Sequence, residues 1–94
     1  MSDGVRIGRY ERIHDKTEAM LKLAAWARKH LAMHSQSGEP EVEELPESDD
    51  KLRLLIRFPD GSHSKNRITL REDDINFKPE WAEQQVEEFI KGLP

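Results

Sequence analysis

The stretch from Lys51 to Ser62 leaves few folds open to this chain. Apolar Leu52, Leu54, Ile56 and Phe58 alternate with Lys51, Arg53, Leu55 and Arg57, the period of two that sends successive side chains to opposite faces of a strand. Phe58-Pro59-Asp60-Gly61-Ser62 follows. Pro59 suits the first corner of a type I turn and Gly61 the left-handed position after it, so the chain is predicted to reverse through a three-residue loop with a glycine bulge. The result is an antiparallel hairpin over 51–71. With Phe58 opposite Ser62, the register pairs Ile56 with Ser64, Leu54 with Asn66 and Leu52 with Ile68. Even-numbered positions then form the core face. A two-residue Asp60-Gly61 loop would instead set Lys65 and Arg67 beside Ile56 and Leu54, and burying those charges opposes that register.

A helix is predicted on each side of the hairpin. Asp15-Lys16-Thr17-Glu18 has the form of a capping box, which opens a helix over 16–34. Met20, Ala24, Ala27 and Leu31 recur at helical spacing, with Leu23, Trp26, His30 and Met33 in an adjoining row. Lys22 and Lys29 fall on the opposite, solvated side. The second helix, 79–91, starts at Pro79 and ends before Gly92. Its apolar face is Ala82, Val86, Phe89, Ile90 and Leu93, with Phe77 and Trp81 adding aromatic mass at the entry. Residues 1–14 read as an arm or, through the weak alternation of 5–10, a short strand. Residues 35–50 read as an acidic loop with a possible edge strand at 41–45 between Pro40 and Pro46.

The expected fold is therefore a single α+β domain, a two-layer sandwich. Its order is helix, hairpin or three-stranded meander, helix, with both helices on one sheet face. A chain of 94 residues buries roughly 60 to 70% of its unfolded surface, which leaves little room for an enclosed pocket. The absence of cysteine excludes disulfides, thiolate metal sites and cysteine nucleophiles. Neither a leader pattern nor an apolar run of membrane-spanning length is present, so a cytoplasmic setting without membrane insertion is expected.

Charge is segmented. Residues 1–34 hold seven Lys/Arg against four Asp/Glu, and 35–50 hold seven acids with no Lys/Arg. Residues 51–71 hold six Lys/Arg against one acid, and 72–94 two against seven. In the predicted register Arg53, Arg57, His63, Lys65 and Arg67, with Lys51 and Arg71, project from the sheet face opposite the helices. A basic face of this kind suits an acidic protein surface or, alternatively, the phosphates of a nucleic acid. If 41–45 pairs with 51–57, Glu41 and Glu43 would shield it. The net charge of −4, the acidic second helix and the lack of aromatics on that face weigh against nucleic acid.

Other motifs carry less. His30 and His34 have the spacing at which two imidazoles share a metal, but no third ligand is identifiable nearby, and no metal or cofactor is expected. Asp15 is better used as a cap than as a partner for His14, and Asp73-Asp74 reads as a strand end and turn. No nucleophile, base and orienting group can be assembled, so the expected function is non-enzymatic. It is a small binding or regulatory accessory protein, an adaptor or inhibitor, docking by charge complementarity. The element order is similar to that of the double-stranded-RNA-binding domain. That family has a lysine-rich start to its second helix where this chain has Lys78-Pro79-Glu80-Trp81, so the resemblance is one of order alone. Phe58-Pro59-Asp60-Gly61 resembles the first hairpin of ubiquitin-like UBX domains, without the rest of that fold. No family is assigned.

Overall fold

Alternation in the strands and helical spacing on either side of them generate the observed order, α1 (Asp3–Met33), β1 (Glu39–Glu44), β2 (Lys51–Arg57), β3 (Ile68–Arg71), α2 (Glu72–Phe77) and α3 (Pro79–Lys91). The computed structural model describes residues 3–48 and 50–93, and side chains within 17–48 and 50–93. The strands form one antiparallel sheet with β2 in the centre. Leu52, Leu54, Ile56 and Leu70 on its even-numbered face enter the same buried cluster as Leu23, Ala27 and Leu31 of α1 and Val86, Phe89 and Ile90 of α3. Both long helices therefore lie on one face, as the two-layer α+β reading requires.

The turn follows the sequence logic closely. Gly61 N–H donates to Phe58 O at 2.9 Å, Phe58 N–H donates to Ser62 O at 2.7 Å, and Gly61 has φ +90°. Beyond the turn, however, the register differs from expectation. Arg57 still faces His63, but Leu54 pairs with Ile68 and Leu52 with Leu70, a slip of two residues. Ser64 accounts for it. Its buried hydroxyl accepts from Ile56 N–H at 3.1 Å and donates to Asn66 O at 2.8 Å. Residues 65–67 thus loop out of the ladder while the two-residue side-chain alternation is preserved. The expected register would have put Asn66 opposite Leu54; the slip replaces it with Ile68 and removes an amide from the core face.

Two other expectations change, and a third, the edge strand, is met with shifted bounds. Helix α1 begins at Asp3 rather than at Asp15, so 3–14 is neither arm nor strand. Once 17–33 is anchored by packing, each added turn costs little, and Arg6, Arg9, Glu11 and Arg12 are good helix formers. The possible edge strand is real, and Pro40 sits within it opposite Ile56, tolerated because an edge strand needs no second set of donors. The Asp73-Asp74 segment is helical: α2 carries Glu72, Asp73 and Asp74 in its first turn, where carboxylates favour the helix dipole. It buries Ile75 completely.

The buried line of α1 runs through Ala19, Leu23, Ala27 and Leu31; the last three belong to the expected apolar face, whereas Met20, Ala24 and Trp26 of that face are only half-buried. Met33 is exposed, His30 is buried, and Lys22 is half-buried with its ammonium donating to Asn76 Oδ1 at 3.1 Å. The helix ends in a Schellman motif. Gln36 N–H donates to Leu31 O at 2.9 Å and Ser35 N–H to Ala32 O at 3.2 Å, with Ser35 itself at φ 54°. Helix α3 has the expected bounds and the expected buried face.

Candidate functional site

The basic residues of the hairpin divide into two groups. Arg53 and Arg57 lie on the outer face of β2, and His63 faces Arg57 across the turn. Because β1 pairs beside them, Arg53 Nε meets Glu43 Oε1 at 3.2 Å, Arg57 Nε meets Glu41 Oε2 at 3.7 Å, and His63 Nε2 meets Glu41 Oε1 at 2.9 Å. Leu55, between the two arginines and opposite Glu41, is buried outside the main core, a position that long charged side chains shield with their methylene stems. Lys65 and Arg67 stand apart from this group on the looped-out 65–67 segment, exposed and without an ion pair among the described residues. The slip in register is what separates them from Arg53 and Arg57. At the far end of the sheet Arg71 Nε lies 3.5 Å from Asp50. The Ser48 hydroxyl, donating to Asp50 at 2.7 Å, is the main reason that carboxyl is held below its usual range. Asp60 is lowered likewise by hydrogen bonds from Ser62 within the turn.

A second surface carries the aromatic residues expected at the entry of the second helix. Phe77 and Trp81 are 78% and 45% exposed and, with Lys78 and Pro79 between them, line an open groove of about 630 Å³ rimmed by Asp74 and Glu80. Helical spacing contains the signal for this. Trp81 is three, four and seven residues from Gln84, Gln85 and Glu88, which places it on the polar side of α3, about 100° from the stripe that begins at Ala82. Phe77 closes α2 just before the helix break at Lys78, so nothing carries it back to the core.

The two long helices are joined by a polar contact. Glu83 of α3 accepts from Lys29 Nζ at 2.7 Å and from His30 Nε2 at 2.9 Å. The Lys29 hydrogen bond, then the His30 one, hold the Glu83 carboxyl below the usual carboxylate range, against the opposing effect of burial. His30, read from sequence as the edge of a stripe, is thus a buried polar residue with a partner from the other helix.

No helix among the described residues is long and apolar enough to cross a membrane. Comparison with known proteins finds no family model, no curated protein and no solved structure that matches this chain.

Proposed function

We propose that this protein is a small non-enzymatic binding module that docks a protein partner through the groove between α2 and α3, with Phe77 and Trp81 as anchors. The observation that carries the reading is that these two large aromatic side chains are exposed together on one groove. Buried on association, large aromatic side chains are strong interface anchors, and a surrounding polar rim excludes water. Asp74 and Glu80 on that rim favour a partner presenting apolar side chains next to basic ones. Charge complementarity remains part of the recognition.

A second reading is favoured by Lys65 and Arg67, exposed and unpaired among the described residues. With Arg53, Arg57 and His63 nearby in sequence, they would receive an acidic protein surface, or less readily a nucleic acid. Against it, Arg53, Arg57 and His63 already have carboxylate neighbours, which a new anion would have to displace.

Affinity capture with wild type, Phe77→Ala/Trp81→Ala and Lys65→Glu/Arg67→Glu separates the readings, with protein and nucleic acid quantified in each eluate. Both double variants change exposed side chains and are expected to keep the wild-type circular dichroism. Loss of captured protein in the aromatic variant alone supports the groove. Loss in the charge-reversed variant alone, with strong salt sensitivity, transfers the function to the 65–67 loop. Equal capture by all three sinks both.

A further inference from the structure

His30 is almost fully buried, yet its two ring nitrogens are treated differently. Nε2 donates to Glu83 Oε2 at 2.9 Å. A carboxylate only accepts, so the proton of a neutral ring sits on Nε2, and Nδ1 carries a lone pair. That Nδ1 is buried and makes no hydrogen bond. An orphaned buried acceptor is costly unless something fills the position in front of it.

Around it gather further donors from the end of α1 and from α3. His34, four residues on and just past the end of α1, stacks on His30 with ring centroids 6.5 Å apart and planes 22° from parallel. Glu87, one turn further along α3 than Glu83, brings Oε2 to 3.9 Å from His30 Nδ1, beyond hydrogen-bond reach. One ligand atom from each of His30, His34 and Glu87 lies within 4.8 Å of the other two. We propose that His30 Nδ1, His34 and Glu87 form a binding site for a divalent transition-metal ion of the zinc class.

The chemistry of the donors selects the ion. Two imidazoles and one carboxylate suit zinc, cobalt, nickel or copper, whereas magnesium and calcium take all-oxygen shells. Zinc holds such ligands at about 2.0–2.2 Å, which puts neighbouring ligand atoms roughly 3.3 Å apart in a tetrahedral shell. Closing from the present spacing falls to the side chains of His34, which is exposed, and of Glu87, which is half-buried. His30 is the buried, fixed ligand. Its ring is already oriented by Glu83, the arrangement in which a carboxylate behind the imidazole fixes the tautomer and raises the basicity of the ligating nitrogen. Lys91 Nζ, 3.9 Å from Glu87, has Glu88 at 4.0 Å as an alternative partner. The three protein ligands leave a fourth position for water or for a donor from a bound partner. Neither helix holds the site alone, so the ion would tie the C-terminal end of α1 to α3, independently of the aromatic groove.

The test uses untagged, metal-stripped full chain. Zn²⁺ titrated calorimetrically is expected to bind with one equivalent per chain, and Co²⁺ to give the intense visible bands of a low-coordinate nitrogen and oxygen site. Long-range ¹H–¹⁵N spectra should show Zn²⁺ shifting Nδ1 of His30 while Nε2 keeps its proton. His34→Ala and Glu87→Gln, both at positions that leave the core intact, should each weaken Zn²⁺ binding at least tenfold. His63→Ala should not change it. The proposal is overturned if wild type shows no saturable Zn²⁺ binding, if His34→Ala and Glu87→Gln bind within twofold of wild type, or if Mg²⁺ or Ca²⁺ competes at equal concentration. In those cases His30 serves only the contact with Glu83.

Discussion

Gly38 and Gly61 both have positive φ, +139° and +90°, but the physics at each is different. A Cβ at Gly61 would meet nothing within 4 Å, whereas one at Gly38 would sit 2.6 Å from Ile56 Cγ2 and 3.1 Å from Arg57 O. Gly61→Ala should therefore cost only the conformational penalty, on the order of 1 kcal/mol. Gly38→Ala adds overpacking against a fully buried strand residue and should cost about 2–4 kcal/mol in total. Chemical denaturation of the two variants checks this, and equal losses would show that the α1–β1 connection yields where the structure has it rigid. The turn glycine was legible because Pro59 and Asp60 precede it in a known pattern. Gly38 was not, since its need for a bare backbone arises from Ile56, eighteen residues away in the chain. Ser35, in the left-handed position of the α1 cap, is illegible for the same reason: glycine is the usual residue there, and no local motif announced a serine.

Element boundaries turned on similar non-local facts. The alternation of Lys51 to Phe58 identified β2 and its core face, and Pro79 with Gly92 bounded α3, because each of those signals is local to the element. The slip between β2 and β3 depended on Ser64, whose hydroxyl stands in for a backbone acceptor at Ile56 N–H. Ser64→Ala keeps the volume nearly unchanged but leaves that amide without its acceptor. A loss of about 1–2 kcal/mol is expected, together with faster hydrogen exchange at the Ile56 amide. Unchanged stability and protection would mean that the 65–67 loop is held by Ile68 and Leu70 packing alone. The same element-level reasoning explains the aromatic groove, since Trp81 follows the helical period of α3 onto its polar side while its hydrophobicity alone argued for the core.

Across the molecule, the contact of Glu83 with Lys29 and His30 links the two helices that cover the sheet. Because the folded Glu83 carboxyl titrates below its unfolded value, the unfolded chain takes up its proton first as pH falls. The stabilisation it provides is complete above the ordinary glutamate range, near pH 4.3, and is lost as pH drops through the lower folded value. Glu83→Gln should therefore be less stable than wild type at neutral pH, and the gap should narrow in acid, below about pH 4. Urea midpoints measured for both proteins across that range decide it. A gap independent of pH would assign the effect of the substitution to packing rather than to the carboxylate.

The amino-acid order by itself determined the α+β class, the hairpin turn, the core face of β2, the span of α3 and the segmented charge. Each follows from residues within a few positions of one another, where backbone preference and side-chain period act without help from distant chain. Tertiary structure decided that β1 pairs with β2 and so sets Glu41 and Glu43 beside Arg57 and Arg53, an arrangement the order of residues left conditional, and it alone decided that Lys65 and Arg67 leave the ladder and that Glu83 and Glu87 meet His30. These depend on the register of β1 and on how α3 crosses α1. Both are settled by burial of the shared core, and charged side chains at the surface are then carried wherever that packing places them.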